Sequence, residues 1–257
     1  MRLNPSRTRD QWILQGAFGA LILAIWTAAG TVSPRIFPYP WLIAEAMIGQ
    51  FRSGAMIAAL ANALQSIIIG YLLAVLVGIP IGLAMGLNEI VEEFFDPYLD
   101  ALYAVPFAAI IPAMILWFGT GLQLRVIVVF FFAVFPIVIN TLEGAQSIPQ
   151  RLFDLSDSFD ASRTYRIRHV IIPYELPYIL GGLRLGSGLA VRGLVVAELL
   201  VAVTGFGQLI ATASSAFRME GVLSVVLVLM GLGVVFTWVL KQIEMRAISW
   251  DVSETAD

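Results

Sequence analysis

The feature that most constrains this chain is the length of its uncharged apolar stretches. No charged residue occurs between Arg52 and Glu89, and Asp100 is the only one between Tyr98 and Gln123. The hydrocarbon core of a bilayer is about 30 Å thick, so a helix that crosses it needs about 20 apolar residues. Both stretches are long enough. We therefore predict a polytopic membrane protein.

Hydropathy and charge predict six membrane-spanning helices in a single all-α transmembrane domain, residues 1–257. A β-barrel is excluded because the apolar runs lack the alternation of barrel strands. The predicted spans are Trp12–Val32, Met56–Leu87, Ala101–Gly119, Leu122–Leu142, Tyr178–Val203 and Gly221–Leu240. The second is longer than one crossing, so we expect it to tilt, to kink near Pro80 or to lie partly along the interface.

The composition removes several classes of function. The chain has 15 Lys and Arg against 18 Asp and Glu, a formal net charge of −3, which disfavours binding to nucleic acid. It contains no cysteine and a single histidine, His169, so thiol catalysis and a multi-histidine metal site are excluded. We expect no metal site.

Basic residues predict the orientation in the bacterial inner (plasma) membrane, because Lys and Arg concentrate on the cytoplasmic side. With both termini cytoplasmic, nine fall inside: Arg2, Arg7, Arg9, Arg151, Arg163, Arg166, Arg168, Lys241 and Arg246. Four fall outside: Arg35, Arg52, Arg125 and Arg218. The first span is alternatively a cleaved signal peptide, but its apolar run exceeds the usual length of about 7–15 residues.

Three connecting segments stand out between the spans. Three prolines in Ser33–Pro40 predict an extended external loop. Asn88–Asp100 carries five acidic residues and no basic one, which predicts a short acidic cytoplasmic loop. Glu143–Leu176 is the longest cytoplasmic segment and the only one large enough to form a docking element.

Within residues 143–176, the pattern predicts an amphipathic helix. Ser147 is the expected N-cap, Gln150 reaches back as in a capping box, and Pro149 is tolerated in the first turn. Leu152, Leu155, Ser156 and Phe159 recur at helical spacing. Pro173 and Pro177 are expected to break the chain before it re-enters the membrane.

This helix has two interpretations that the residues alone leave open. It lies on lipid headgroups, or it docks on a cytoplasmic partner and transmits that partner's motion into the spans. The chain has no phosphate-binding G-x-x-x-x-G-K-[ST] motif, and its only lysine is Lys241. Energy from ATP must therefore come from another subunit.

The same segment resembles a known motif. Asp154-Leu155-Ser156, Asp160-Ala161-Ser162 and Val170-Ile171-Ile172-Pro173 resemble the "EAA" loop of ABC importer permeases. The blocks YLDALYAVPFAAIIP, ILWFG, FPIVIN, LPYILGGLRL and GLVVAE are similar to the permeases that take up nitrate, sulfonates and taurine. The resemblance extends from about residue 40 onward.

This resemblance implies a type I ABC importer permease that has no catalytic residue of its own. Cytoplasmic ABC ATPase subunits would bind ATP and Mg and grip the coupling loop. A periplasmic or lipid-anchored solute-binding protein would deliver a small anion, such as a sulfonate, taurine or nitrate, although the branch also serves neutral heterocycles. A second copy of the permease would complete a homodimer. The implied ATPase-docking residues are Asp154, Ser156, Asp157, Ser158, Phe159, Asp160, Ala161 and Ser162.

The loop departs from the family pattern at one informative position. Asp160 stands where the pattern has a glycine that lets the chain turn with positive φ between two short helices. Aspartate tolerates that conformation less readily than glycine but better than most residues. We expect the turn to survive, with its added carboxylate facing a basic residue of the ATPase.

Polar groups at membrane depth are the candidates for the solute pathway. An unpaired charge there costs about 2.5–3.5 kcal/mol, so Arg192 and Glu198 should each pair with another helix or face the pathway. They are six residues apart and therefore lie on different helix faces. Arg192 is the residue that we expect to attract an anion. Asn62 and Gln65 are further candidates, although such groups more often form hydrogen bonds between helices.

Two alternatives from other classes remain at this point. A secondary transporter driven by a proton or sodium gradient would need an ionisable relay or paired broken helices, and the sequence shows no internal repeat. A non-transporting membrane scaffold would bind its partner through the same loop.

Overall fold

The computed structural model describes the backbone of residues 5–247 and the side chains of residues 13–243. Arg2, Arg7, Arg9 and Arg246, which entered the orientation count, lie outside the described side chains. The described elements are α1 (Pro5–Val32), α2 (Pro40–Arg52), α3 (Ala55–Gly86), α4 (Glu89–Ala104), α5 (Phe107–Phe118), α6 (Leu122–Gln146), α7 (Gln150–Ser158), α8 (Arg163–Arg166), a π-helical turn (Ile167–Ile171), α9 (Ile172–Val201), α10 (Gly205–Ser215) and α11 (Met219–Ala247). The predicted all-α architecture is confirmed.

The core of the bundle is the packing of α6 between α3 and α9. Small residues on α3 allow the close approach: a Cβ on Gly82 would lie 2.7 Å from Cβ of Thr141, and one on Gly86 would collide with Ala145. Apolar side chains fill the remaining space, including Ile67, Ile137 and Leu194, which are fully buried. The helices therefore pack backbone to backbone, as small-residue spacing allows in membranes.

Helix α1 lies at the edge of this bundle. Only 6% of its apolar span is buried. Its indole donor, Nε1 of Trp26, donates to the carbonyl of Pro38 at 2.9 Å, in the loop that follows the helix. That loop has no regular helix from Ser33 to Tyr39, but it turns at residues 34–36 instead of running extended as predicted, and Pro40 begins α2.

Five described helices are long and apolar enough to cross a membrane, and a bent pair makes up to six. The predicted span over Ala101–Gly119 is not one continuous helix, because this stretch is divided between α4 and α5, which are bent by 95°. Val105 is extended at φ −69° and ψ 127°, as expected for a residue before proline, and Pro106 offers no N–H to continue the helix.

The segment predicted as an acidic loop, Asn88–Asp100, is instead largely the helix α4. Oδ1 of Asn88 accepts hydrogen bonds from the N–H groups of Ile90 at 3.0 Å and Val91 at 3.3 Å. Glu89 and Glu92 lie in the first turn, where negative charge favours the helix dipole. The acidic residues therefore start a helix.

Two expectations about the segment 143–176 also need correction. Ser147 ends α6 and donates its hydroxyl to the carbonyl of Gly144 at 2.7 Å, so it does not cap α7, which follows Pro149. Pro173 and Pro177 do not break the chain. The π-helical turn leads directly into α9, and Pro173 lies in the first turn of that helix. Helices α2 and α10 are additional elements that the hydropathy analysis did not predict.

Candidate functional site

The predicted docking helix exists as α7, and its two sides differ in exposure. Ser156 is buried and donates its hydroxyl to the carbonyl of Phe153 at 2.7 Å. Leu155 and Phe159 are exposed, Phe159 to 78%. Since residues four apart lie on one helix face, these two side chains form an apolar projection away from the bundle. Phe153, which the sequence analysis did not select, is half-buried on the inner side.

The turn after α7 has the conformation that the sequence predicted. Asp160 adopts φ +48°. Its N–H donates to the carbonyl of Asp157 at 3.0 Å, and the N–H of Ala161 donates to the carbonyl of Ser156 at 3.0 Å. These two bonds form a Schellman motif with Asp160 in the position that glycine usually occupies. The side chain of Ser162 then caps α8 by accepting a hydrogen bond from Tyr165 N at 3.3 Å.

The acidic side chains of the segment differ in their partners. Asp157 pairs with the guanidinium of Arg166. Asp154 accepts a hydrogen bond from Nε2 of Gln150 at 3.2 Å, and Ser158 donates to the backbone carbonyl of Asp154 at 2.9 Å. Asp160 is exposed, and within the described side chains its carboxylate has no ion pair. Asp160 therefore presents the most available negative charge for a partner.

A groove of about 580 Å³ lies along the same surface. Its lining combines the apolar side of α7 with the segment that follows it: Leu152, Leu155, Ser156, Phe159, Ala161, Ser162, Tyr165, His169 and Val170. Four of the eight predicted docking residues, Ser156, Phe159, Ala161 and Ser162, therefore line this groove. Asp157 instead faces a second cleft between α7 and the end of α3.

Arg192 and Glu198 have opposite environments on α9. Glu198 is 2% exposed, and its Oε1 lies 3.6 Å from Nη1 of Arg125. Arg192 is exposed, and the described side chains offer it no ion-pair partner within 4 Å. It lies about 13 Å along the helix from Val201, at 1.5 Å per residue, inside a stretch that is long and apolar enough to cross a membrane.

The other two pathway candidates lie on α3. Gln65 is exposed, and Asn62 is half-buried with its backbone carbonyl accepting a hydrogen bond from Ser66 at 2.8 Å. An exposed amide and an exposed guanidinium at membrane depth need water or another protein surface. The exposed sides of α3 and α9 are therefore candidates for a polar pathway or for contact with another subunit.

Two buried charged residues were missed by the sequence analysis. Arg125 was counted as an external loop charge, yet it lies in the first turn of α6 and is 6% exposed. Glu175 is fully buried in the first turn of α9, and neither of its carboxylate oxygens accepts a hydrogen bond in the described part of the chain. The sequence did offer one signal for both residues: each is a charged residue within four positions of the end of a predicted span. Among the described residues, no group of three His, Cys, Asp or Glu side chains is arranged to hold a metal ion.

Comparison with known sequences gives consistent matches along most of the chain. The profile of a family described as "Binding-protein-dependent transport system inner membrane component" matches residues 75–249. The putative aliphatic sulfonates transport permease protein of Bacillus subtilis is 30% identical over 253 residues, covering 97% of this chain and 92% of that protein. The riboflavin transport system permease protein of Chloroflexus aurantiacus is 38% identical over 200 residues, covering 77% of this chain and 75% of that protein. The taurine transport system permease protein of Escherichia coli is 30% identical over 263 residues, covering 97% and 96%.

Proposed function

The chain belongs to the family of binding-protein-dependent transport system inner membrane components, and from this premise we propose that it imports a small organic or inorganic anion. It is the membrane permease subunit of an ABC transport system. The proposed solute class is a compound that carries an anionic sulfonate or similar group, such as an aliphatic sulfonate or taurine. The observation that carries this proposal is Arg192, a positive charge at membrane depth that is exposed in the single chain.

The reason is electrostatic. A guanidinium at membrane depth is costly unless it meets water, a counter-charge or a passing anion. A planar guanidinium also donates in pairs to sulfonate and carboxylate oxygens, which gives directional recognition. Two relatives whose names specify aliphatic sulfonates and taurine support the same chemical class.

Uptake by the complete transporter in proteoliposomes tests the role of Arg192. Arg192→Gln should lower the uptake of radiolabelled taurine about tenfold while leaving assembly with the ATPase unchanged. Arg52→Gln is the matched control, because it removes an exposed positive charge at the end of α2, away from the candidate pathway. Uptake by Arg192→Gln at the wild-type rate would remove Arg192 from the pathway.

A second candidate solute is a neutral heterocycle. One observation favours it: the riboflavin transport system permease protein of Chloroflexus aurantiacus shares 38% identity with this chain. The two classes separate in a competition experiment, in which unlabelled riboflavin and unlabelled taurine are tested against each labelled solute. Uptake of riboflavin that persists in Arg192→Gln would favour the heterocycle.

We also propose that two cytoplasmic ATPase subunits, which bind ATP and Mg, grip α7 and the turn after it. The exposed Phe159 and the free carboxylate of Asp160 supply an apolar contact and a charge for this docking. The proposed assembly contains two copies of the permease and a periplasmic or lipid-anchored solute-binding protein. It lies in the bacterial inner membrane with both termini cytoplasmic.

Docking is tested by co-purification of the ATPase with Phe159→Ala and Asp160→Lys. Each substitution should release the ATPase and abolish ATP-dependent uptake, because one removes the apolar projection and the other reverses the free charge. Lys241→Gln is the control, because it changes an exposed charge outside the docking segment. Gradient-driven uptake by the permease alone, without ATP, would instead support a secondary transporter.

A further inference from the structure

Three helix ends meet at the end of the bundle opposite α7. They are the first turn of α6, the last turn of α9 and the first turn of α10. A single carboxylate joins them. Oε1 of Glu198 on α9 faces Arg125 on α6 at 3.6 Å, and Oε2 accepts a hydrogen bond from the backbone N–H of Phe206 on α10 at 2.8 Å. Nη1 of Arg125 also donates to Oγ1 of Thr204 at 3.1 Å.

The chain folds tightly around this carboxylate. Ala202 adopts φ +50° and Gly205 adopts φ +67°, so the backbone reverses between α9 and α10. A Cβ on Gly205 would lie 2.6 Å from Oε1 of Glu198, and one on Gly207 would collide with the backbone carbonyl of Glu198. Glycine is therefore required at both positions. The start of α10 is built against the Glu198 side chain.

The ion pair between Arg125 and Glu198 contributes more to the position of α10 than to the free energy of unfolding. Oε1 of Glu198 and Nε of Arg125 are buried and make no hydrogen bond within the described residues. Buried charges lose their hydration, and a pair with unsatisfied atoms recovers only part of that loss. The carboxylate nevertheless satisfies an N–H group at the start of α10, where helix donors lack intrahelical partners. Its main effect is to fix where α10 lies.

The position of α10 matters because this helix lines a cavity. A space of about 580 Å³ lies between α2, α10 and the start of α11, and Gln208 and Thr212 of α10 line it. On the other side of α10, Phe206 is buried in the core with 1% exposure. A shift of the first turn of α10 would therefore change both the cavity and the core.

We infer that Arg125 and Glu198 are positioning residues that clamp α10 against α6 and α9 at the outer end of the transporter. The word "outer" rests on the proposed orientation, with α7 on the cytoplasmic side. The clamp keeps α10 attached to α6 and α9. The opposite ends of α6 and α9 flank the proposed docking segment around α7. A movement that begins at α7 is thereby carried to α10.

A single-cysteine reporter tests the clamp, since the chain has no cysteine of its own. Ala213→Cys places a thiol on the buried side of α10, and a membrane-impermeant maleimide reports how often this helix leaves its packed position. The reporter is combined with Glu198→Gln, with Arg125→Met and with both together. The double variant is decisive, because it leaves no uncompensated charge and so folds even where a single variant fails.

In the double variant we expect labelling about tenfold faster than in the wild type, with an unchanged midpoint of thermal unfolding. The loss of a charge-assisted contact shifts a local equilibrium by about this factor. Lys241→Gln is the control, because it neutralises an exposed charge in the last part of α11, and it should leave the labelling rate unchanged. A labelling rate in the double variant within twofold of the wild type would overturn the clamp. Labelling needs neither solute nor ATP, so this result is independent of the proposed transport.

Discussion

Asp160 has a left-handed backbone in a turn whose two hydrogen bonds define its shape. The sequence predicted this conformation, because the position corresponds to a glycine in the EAA pattern. The hydrogen-bond partner of Asn88 and the role of Ser147 were not predictable in the same way. Both residues are good caps, and only the course of the neighbouring helices decides which backbone groups they meet.

Asp160→Gly should stabilise the protein by about 0.5–1 kcal/mol, because glycine adopts positive φ without steric cost. Asp160→Ala should destabilise it by about 1 kcal/mol, since alanine has neither that freedom nor the local hydrogen bonding of aspartate. Thermal unfolding in detergent measures both changes. Equal midpoints for the two variants would show that the turn is not strained.

Glu175→Met should raise the stability by about 1 kcal/mol, because the buried carboxylate has no hydrogen-bond partner among the described residues and methionine has similar volume. Glu175→Gln is the control, since it keeps an unsatisfied polar group in the same place. Thermal midpoints of the purified permease distinguish them. A lower midpoint for Glu175→Met than for the wild type would show that the carboxylate has a stabilising partner.

Helices α3, α6 and α9 were predicted well because their apolar runs are long and uninterrupted. Helices α2 and α10 were not, since each is shorter than a membrane span. The 95° bend between α4 and α5 depends on Val105 and Pro106, and proline within an apolar run is equally compatible with a kinked span. Pro80 and Pro136 lie inside helices that continue through them.

Gly82→Ala should destabilise the contact of α3 with α6 by about 1–3 kcal/mol, because its Cβ would lie 2.7 Å from both the Val138 carbonyl and Cβ of Thr141. Gly231→Ala is the matched control. It lies in α11 with no atom within 4 Å of its added Cβ, so it should gain about 0.5–1 kcal/mol from better helix propensity. Unfolding midpoints in detergent check both. A neutral Gly82→Ala would contradict the close packing.

At the scale of the whole molecule, the proposed docking surface and the buried clamp lie at opposite ends of α6 and α9. The sequence predicted the helix α7 and the turn that follows it, because their pattern is local and contiguous. It did not predict the clamp, which brings together Arg125, Glu198 and Phe206 from three elements. A contact between distant segments leaves no periodic pattern in a single sequence.

The two ends should lie on opposite sides of the membrane. Phe159→Cys is expected to react with an impermeant thiol reagent only in inside-out vesicles, and Ser215→Cys only in intact cells stripped of their outer membrane. Both positions are exposed, and the chain has no competing cysteine. Reaction of Phe159→Cys from outside would reverse the orientation and contradict docking on a cytoplasmic ATPase.

Helix α1 has a practical consequence for the engineering of this protein. It touches the rest of the chain mainly beside the loop 33–39, and it precedes the family match, which begins at residue 75. A membrane anchor from another source can therefore replace α1 within 33–39 while the remaining helices keep their own contacts. Chimeras made at this junction would separate what the first helix contributes to membrane insertion from what the other helices contribute to transport.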